Sequence, residues 1–368
     1  MINTGKFADF YNDVTKMGTK IPQDRYLRTG LYPIIDQGRQ AIAGRWDDEN
    51  GVFRDVPAIV FGDHTRAIKY VEEPFFIGAD GVKIFRPQNA QDNPKYLFYA
   101  LQAVKIPDLG YSRHFKVLKE LNIRVCHRDE QDKIVAKLDK ISDLIEKRRQ
   151  QLETLDNLVK SRFIEIFGDP TLNPKEWPTC ELSEYINFLT SGSRGWSQYF
   201  ADSGEYFITI KNVKNCRITL EDVQYVIPPD NAEAKRTRVQ EGDLLISITA
   251  DLGRTGVVTK EIADYGGYIN QHLTCIRINQ DAVRPLYVAH YMESEAGKSQ
   301  FRSKNQSAVK AGLNFNAINS LRLMVPPIEL QDEFISFVEQ VDKQKLTIQA
   351  SLDKLELLKK SLMQEYFG

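Results

Sequence analysis

The chain repeats itself at a constant offset of 200 residues, and this repeat constrains the fold more than any other feature. Residues 121–168 align without a gap onto residues 321–368, and 12 of the 48 positions are identical. Both copies end on the dipeptide Phe-Gly. An internal repeat of this length indicates that one structural unit occurs twice.

Each copy is predicted to be one long helix. Apolar residues keep a seven-residue repeat over about five heptads, which is typical of a coiled-coil seam. Neither copy contains Pro or Gly within residues 131–167 or 331–367, and Gly168 is suited to end the first helix. The predicted seam consists of Ile134, Leu138, Ile141, Ile145, Leu152, Leu155 and Val159 in the first copy, and of Phe334, Val338, Val341, Ile348, Leu352, Leu355 and Leu362 in the second.

Two interpretations of these helices are open. Each could pack separately as an amphipathic helix on its own globular domain. Alternatively, they could pack against each other, because two matched apolar stripes of equal length can bury one another. The sequence favours mutual pairing.

The segments between the helices repeat more faintly. The tetrapeptide 63–66 (Asp-His-Thr-Arg) and the tetrapeptide 251–254 (Asp-Leu-Gly-Arg) each follow an apolar, strand-like run. At an offset of 191, Pro94 and Pro285 each open a short apolar helix, where Pro is favoured in the first turn. Short β-branched runs punctuated by Gly, Asn and Asp predict an α+β fold for both segments.

Composition excludes several classes of protein. Lys+Arg number 49 and Asp+Glu number 50, so the net charge of -1 gives no global argument for a polyanionic partner. The four cysteines lie far apart, which predicts neither a zinc cluster nor a disulfide framework. No leader opens the chain and no apolar run approaches the roughly 20 residues that span a bilayer. We expect a soluble, cytoplasmic protein in a reducing compartment.

Common catalytic motifs are absent from the sequence. It contains no GxxxxGK[ST] phosphate loop, no HExxH and no GxSxG. The five histidines are not at metal-ligand spacing. We therefore expect no catalytic residue and no bound metal in this chain.

Two motifs are similar to parts of DNA enzymes, but simpler interpretations are favoured. Asn93 to Tyr96 is similar to the Asn-Pro-Pro-Tyr turn of adenine methyltransferases, yet it lacks the second proline and indicates a helix start. Asp230 with Glu233 and Lys235 is similar to a nuclease acid triad. Three residues of separation do not place the two carboxylates on different strands around one metal, so an exposed turn is favoured.

A repeated long helix behind two variable segments resembles the specificity (S) subunit of type I restriction-modification systems, over essentially the whole chain. The residues at the junction between the halves add to the resemblance. These are Phe167, Gly168, Asp169, Pro170, Asn173, Pro174, Lys175 and Trp177.

The resemblance implies an α+β fold of two α/β target recognition domains separated by two long helices. The helices would form an antiparallel coiled coil with an internal pseudo-two-fold repeat and act as a rigid spacer between the domains. The boundaries implied are 1–125 for target recognition domain 1, 126–168 for the central conserved helix, 169–325 for target recognition domain 2 and 326–368 for the C-terminal conserved helix.

The resemblance also implies a function. The chain would recognise double-stranded DNA with a bipartite target, one domain per half-site, and would dock two methyltransferase (M) subunits. Restriction (R) subunits would join for cleavage, and no membrane would be involved. The chain would be non-catalytic and would hold no cofactor, because S-adenosylmethionine and ATP with Mg are used by the partner subunits. A coiled-coil protein-binding scaffold without DNA specificity is the alternative.

Local charge supports DNA binding only mildly. Residues 1–125 contain 18 Lys+Arg and 15 Asp+Glu, a net charge of +3, and residues 169–325 contain 17 and 18, a net charge of -1. The best candidates for base or phosphate contacts are basic and polar residues on loops rich in Gly, Ser and Asn. They are Lys20, Arg25, Arg28, Arg39, Arg45, His64, Arg66 and Lys69 in domain 1, and Ser193, Arg194, Lys211, Asn212, Arg254, Lys310 and Asn314 in domain 2.

Overall fold

The computed structural model divides into two compact units, each with a globular domain and parts of both long helices. Unit 1 comprises Met1–Gln151 and Ile348–Gly368, and unit 2 comprises Leu152–Thr347. The residues that the structure describes are 2–78, 80–110, 112–305 and 312–368.

The globular part of unit 1 is a mixed α/β domain. Its strands are β1 (Ile2–Gly5), β2 (Tyr11–Asp13), β3 (Tyr32–Ile35), β4 (Gly44–Trp46), β5 (Ala58–Gly62), β6 (Ile68–Val71), β7 (Phe76–Ile77), β8 (Val82–Pro87) and β9 (Ile123–Cys126). Its helices are α1 (Phe7–Phe10), α2 (Pro94–Ala103) and α3 (Phe115–Leu118), and the long helix α4 (Arg128–Phe167) follows.

The central sheet of unit 1 has the antiparallel order β2-β8-β5-β6. Strand β5 is buried on both faces, so its sequence is a continuous apolar run rather than an alternating one. Ile59 and Phe61 pack in the cluster that contains α2, whereas Val60 packs on the other face with Phe75 and Ile77. A second sheet, β4-β3-β7, pairs β3 with β7 in parallel.

The globular part of unit 2 contains more elements. Its strands are β10 (Thr179–Glu181), β11 (Ile186–Ser191), β12 (Phe200–Ala201), β13 (Glu205–Ile208), β14 (Val213–Lys214), β15 (Arg217–Ile218), β16 (Gln224–Val226), β17 (Leu244–Ser247), β18 (Thr255–Val257), β19 (Gly267–Ile269), β20 (Leu273–Ile278) and β21 (Arg322–Met324). Its helices are α5 (Ala232–Thr237), α6 (Lys260–Tyr265), α7 (Pro285–Glu293), α8 (Glu295–Lys304) and α9 (Phe315–Asn319), followed by the long helix α10 (Ile328–Phe367).

Unit 2 repeats the central sheet of unit 1 and has a larger second sheet, together with the additional strand pair β14-β15. Its central sheet has the order β11-β20-β17-β18, and its second sheet, β12-β16-β13-β19, again contains one parallel pair, β13 with β19. The strand pair β1-β9 of unit 1 has its equivalent in β10-β21. The predicted α+β repeat is therefore confirmed, including the short helices that begin at Pro94 and Pro285.

The two long helices pack against each other in antiparallel directions. Within unit 1, Lys137 lies by Tyr366 and Arg149 by Glu356; within unit 2, Asp156 pairs with Lys345 and Arg162 with Glu333. In each unit the α10 residue number falls as the α4 number rises. Mutual pairing of the helices is confirmed, and separate packing is excluded.

The predicted seam lies on the packed face, but that face is wider than the seam. The buried members are Leu138, Ile141, Ile145, Val159, Phe334, Val338, Val341 and Leu352, and the half-buried members are Ile134, Leu152, Leu155, Ile348, Leu355 and Leu362. Val135 and Phe163 are also buried although the seven-residue pattern did not include them. Phe163 stacks on Tyr287 of α7, so a helix that meets a domain as well as its partner helix buries a broader stripe.

A buried glutamine ties the first turn of α4 to the domain of unit 1. Gln131 is fully buried, and its Oε1 accepts a hydrogen bond from the Asn93 backbone N–H (2.7 Å). Its Nε2 donates to the carboxylate of Asp92 (2.8 Å) and to the carbonyl of Cys126 (3.0 Å). The amide is fully used, so its burial carries no unmet hydrogen bond.

Unit 2 contains the same contact between domain and long helix at the offset of 200. We call these two contacts, made by Gln131 and Gln331, the glutamine joints. Gln331 is fully buried, accepts from the Arg284 backbone N–H (2.9 Å) and donates to the carbonyls of Ala282 (3.3 Å) and Pro326 (2.9 Å). The neighbouring Asp332 pairs with the Arg284 guanidinium through both carboxylate oxygens. The identity of these two positions in the repeat thus has a structural cause.

Candidate nucleic-acid interface

The loop between β5 and β6 in unit 1 corresponds to the loop between β17 and β18 in unit 2. In unit 1, the Gly62 N–H donates to the Ala67 carbonyl (2.8 Å) and the Arg66 N–H donates to the Gly62 carbonyl (2.8 Å). This pair of bonds fixes the register in which the hairpin closes.

The same pair of bonds in unit 2 shows that the two predicted arginines are not at equivalent positions. The Ser247 N–H donates to the Arg254 carbonyl (2.9 Å), and the Gly253 N–H donates to the Ser247 carbonyl (3.0 Å). Arg66 therefore corresponds to Gly253. Both adopt the left-handed conformation, with φ of 61° and 79°. The sequence alignment of the two Asp-x-x-Arg segments placed the right loops together but missed this shift, because the loop in unit 2 is longer.

Both arginines are already held by the protein, in different ways. Arg66 donates to Asp108 (2.7 Å) and to the carbonyl of Ile106 (3.3 Å). A backbone N–H from Gly110 and the charge of Arg66 lower the pKa of Asp108. Arg254 instead pairs with Asp251 of its own loop (2.5 Å).

Asp63 does not pair with Arg66, unlike Asp251 with Arg254. It is 3% exposed, and its carboxylate accepts from the Phe115 N–H (2.7 Å). Its carbonyl accepts from the His114 N–H (2.9 Å). Asp63 therefore anchors the segment that carries α3.

The other candidates of domain 1 divide into held and exposed residues. Lys69 pairs with Asp36 and its side chain is only 10% exposed, and burial lowers its pKa. Lys20 pairs with Asp80 (2.9 Å), which lowers the pKa of Asp80. Arg45 donates to the Gly30 carbonyl (3.1 Å). Arg25, Arg28 and Arg39 are exposed.

In domain 2, two of the candidates have structural tasks. Asn212 is 3% exposed, and its amide bonds to Thr209 and to the Thr219 carbonyl. Asn314 caps α9 by accepting from the Ala317 N–H (2.8 Å). Such burial and capping account for these two residues without a contact to DNA.

The remaining candidates of domain 2 lie on the surface or outside the described residues. Arg194 and Lys211 are exposed, and Lys310 lies outside the described residues. Ser193 accepts from Arg236 (3.2 Å), which also donates to the Ser191 carbonyl (2.9 Å). Sequence analysis did not include Arg236, because only the contact between α5 and β11 brings it to this loop.

A cavity of about 320 Å³ opens beside Arg254 in unit 2. Lys214 and Lys298 line it, together with the carboxylates of Asp251 and Glu293. Glu293 accepts from the Thr255 N–H (3.0 Å) and Asp251 is paired with Arg254. Within the part of the chain that the structure describes, Lys214 and Lys298 form no ion pair, so both ammonium groups are available to a phosphate.

The two motifs similar to enzyme sites have structural roles. Asn93 caps α2 by accepting from the Lys95 and Tyr96 N–H groups, as predicted for a helix start. Lys235 pairs with Asp230 (2.9 Å). Glu233 accepts from the Trp196 indole N–H (2.9 Å). Among the described residues, no group of three or more His, Cys, Asp or Glu is arranged to hold a metal ion.

Membrane insertion of a helix is not supported for the described residues. None of their helices combines the length and the apolar character that crossing a bilayer requires.

Comparison with known families assigns the chain to one family. Residues 6–154 and 174–357 match the family model of the type I restriction modification DNA specificity domain. The chain belongs to this family. Each matched segment covers one globular domain and part of the long helix after it, so the family unit occurs twice, as the repeat predicted.

Individual relatives agree with the family. The type I restriction enzyme EcoBI specificity subunit of Escherichia coli is 21% identical over 253 residues, which cover 64% of this chain and 52% of that protein. The putative type I restriction enzyme MjaX specificity subunit of Methanocaldococcus jannaschii is 22% identical over 201 residues, covering 53% and 46%. The chain spans about half the length of these curated relatives.

A solved structure shares the fold. The S subunit of the type I restriction-modification system from M. genitalium aligns over 100% of this chain and 96% of its own, with a TM-score of 0.62 at 14% identity. The likeness covers both domains and both long helices.

Proposed function

We propose that this chain is the sequence-specific DNA-recognition subunit of a type I restriction-modification complex. Each globular domain reads one half of a bipartite target in double-stranded DNA. The observation that carries the proposal is the repeated family domain: one topology occurs twice, while the loop residues at equivalent positions differ. Two different half-sites require two readers of this kind.

The chemistry belongs to partner subunits in this proposal. The family is one of specificity subunits, which are generally non-catalytic. Methyl transfer from S-adenosylmethionine resides in the methyltransferase subunits, of which two dock, and cleavage with ATP and Mg resides in the restriction subunits. This chain holds no cofactor.

Exposed leucines on the long helices support docking of partner subunits. Leu357 is 68% exposed and Leu144 and Leu358 are also exposed in unit 1, as are Leu158 and Leu346 in unit 2. Apolar side chains repeated along a solvent-facing helix stripe favour burial against another protein.

The proposal is tested by binding and by methylation together. The purified chain, with and without its methyltransferase subunit, is titrated with duplex DNA at two salt concentrations, and modified bases are mapped in cells that carry both subunits. We expect affinity that falls steeply with salt and methylation at one bipartite sequence. A chain that binds partner proteins but changes neither DNA affinity nor the methylated sequence is a scaffold, which would contradict the proposal. Cleavage by the chain with magnesium alone would indicate a nuclease instead.

A further inference from the structure

One backbone hydrogen bond between strands identifies equivalent positions in the two units. In unit 1, the Asp63 N–H donates to the Gly81 carbonyl (2.7 Å), just before β8. In unit 2, the Ile248 N–H donates to the His272 carbonyl (3.0 Å), just before β20. Gly81 and His272 are therefore structurally equivalent.

The residues that follow on the other strand are equivalent as well. His64 follows Asp63, and Thr249 follows Ile248. Unit 1 thus has His64 opposite Gly81, whereas unit 2 has Thr249 opposite His272. Each domain has one imidazole at this place, supplied from opposite strands of the pair.

In unit 1 the imidazole lies over the glycine and beside a glutamine. A Cβ added to Gly81 would lie 2.9 Å from Cδ2 of His64 and 2.7 Å from Oε1 of Gln37. The φ of 86° at Gly81 favours glycine, and a side chain there would also displace the imidazole or the carboxamide. The Thr65 hydroxyl donates to the Gln37 carbonyl and holds this residue against the hairpin loop.

In unit 2 the imidazole also lies beside a glutamine. Nδ1 of His272 is 2.6 Å from the Thr249 hydroxyl, and Nε2 is 3.0 Å from the Gln271 amide nitrogen. All three residues are half-buried. The polar groups differ in chain position from those of unit 1, and a hydrogen bond joins the imidazole to the carboxamide in unit 2. In both units an imidazole and a carboxamide lie near each other at this place.

Gln37 shows that unit 1 leaves hydrogen-bonding capacity unused. Its Oε1 is buried and has no hydrogen-bond partner among the described residues. An unmet acceptor of this kind is costly in a native fold, and a ligand with a donor removes the cost when the carboxamide turns toward it.

We propose that His64 with Gln37, and His272 with Gln271, are the base-reading groups of the two domains. The inference rests on the proposed function and names its specificity-determining residues. A carboxamide bonds to adenine N6 and N7 through one acceptor and one donor. In unit 2, one N–H of Gln271 donates to Nε2 of His272, whose other ring nitrogen bonds to the Thr249 hydroxyl. The imidazole therefore orients the carboxamide, which keeps its oxygen and its second N–H for the base. Each pair therefore reads purine edges in the major groove of its own half-site.

Substitution with alanine tests the two pairs. His64→Ala and Gln37→Ala are compared with His272→Ala and Gln271→Ala in the complex with the methyltransferase subunit, by mapping methylated sites. We expect each change to relax one position of one half-site by roughly 5- to 150-fold and to leave the other half-site intact. His127→Ala and Gln102→Ala, both at exposed positions, are matched controls that leave the target unchanged. Thermal unfolding of each variant separates loss of reading from loss of fold.

A strand swap tests the equivalence itself. His272→Gly removes the imidazole from unit 2, and the double variant with Thr249→His restores it from the strand that supplies it in unit 1. We expect the single variant to lose base preference and the double variant to recover a substantial part of it. Thermal unfolding of the single and the double variant distinguishes recovered base preference from recovered stability.

The outcomes separate this inference from the function on which it rests. If the wild-type complex methylates no specific sequence, both fail. If the wild-type complex is specific, but folded variants of all four residues keep every base preference, the proposed function stands and this inference is overturned.

Discussion

The two units share their framework and differ at their hairpin loops. The framework is repeated where each domain meets the long helices. Tyr96 accepts from the Cys126 N–H (3.0 Å) and lies 5.2 Å from the ring of Phe367. Its equivalent Tyr287 donates to the Met324 carbonyl (3.0 Å) and lies 4.8 Å from the ring of Phe167.

The hairpin loops of the two units instead differ in length, in charge and in the residues that hold their arginines. Arg66 is held by a distant aspartate and its equivalent is Gly253, whereas Arg254 is held within its own loop. Framework positions are therefore constrained by packing, and loop positions are free to follow the ligand. This difference is what a protein with one architecture and two targets requires.

The largest expected effect concerns a framework position at which the units differ. Phe334 is fully buried against Phe163 and Phe167, whereas its equivalent Ile134 is only half-buried. We expect Phe334→Ala to cost about 3–5 kcal/mol of unfolding free energy and Ile134→Ala less than about 2 kcal/mol. Chemical denaturation measures both. Equal costs would show that the burial of the two positions does not differ in solution.

The repeated joint gives the next effect. Gln131→Met and Gln331→Met keep the side-chain length but leave one buried N–H and buried oxygens unpaired in each unit. We expect each to cost about 2–3 kcal/mol, and the two costs to agree within about 1 kcal/mol. Gln349→Met, at an exposed position of α10, is the control. A large cost in one unit and none in the other would break the equivalence of the joints.

Much of the framework could be predicted because it is local or periodic. The seven-residue pattern, the absence of Pro and Gly and the prolines at α2 and α7 each have a physical consequence within a few residues. Phe163 was missed because its burial depends on Tyr287, a contact of high sequence separation. The joint was visible only as an identity at 131 and 331, since nothing in a sequence shows which carbonyls a glutamine will reach.

The candidate site was less predictable. Its residues were chosen by type and by loop composition, and these do not distinguish a held side chain from a free one. Asn212 shows this, because a polar residue on a predicted loop proved to be buried. His272 was missed because its role depends on the strand pair that places it opposite Thr249.

The hairpin loops give a smaller, paired prediction. Arg66 has a φ of 61°, which costs a residue with a Cβ about 1 kcal/mol relative to glycine. Arg66→Gly should therefore be about 1 kcal/mol more stable than Arg66→Ala, although both lose the bond to Asp108. Gly253→Ala should be destabilising, because its Cβ would meet the ring of Phe301. Thermal unfolding of the three variants tests whether residues 66 and 253 occupy equivalent left-handed positions. Identical stability of Arg66→Gly and Arg66→Ala would contradict this equivalence.

A further effect concerns pH. His290 of α7 has Tyr99 as its equivalent in unit 1, and burial with the nearby charges of Arg217 and Lys345 lowers the pKa of His290 to about 3. The folded state then binds fewer protons than the unfolded state, in which the pKa is about 6.5, so stability falls as the pH drops below about 6.5. His290→Gln should show a shallower loss of melting temperature between pH 7 and pH 5. A steeper loss in the variant would reverse the sign and contradict the assignment.

The most direct measurement exchanges one DNA-recognition domain and leaves the other domain unchanged. Residues 1–125 are replaced by the corresponding domain of another family member with a different target, the methyltransferase subunit is kept, and methylated sites are mapped across the genome. We predict a new sequence in one half-site, with the other half-site unchanged. A target that stays the same, or changes in both halves, would contradict the claim that each domain reads its own half of the DNA target.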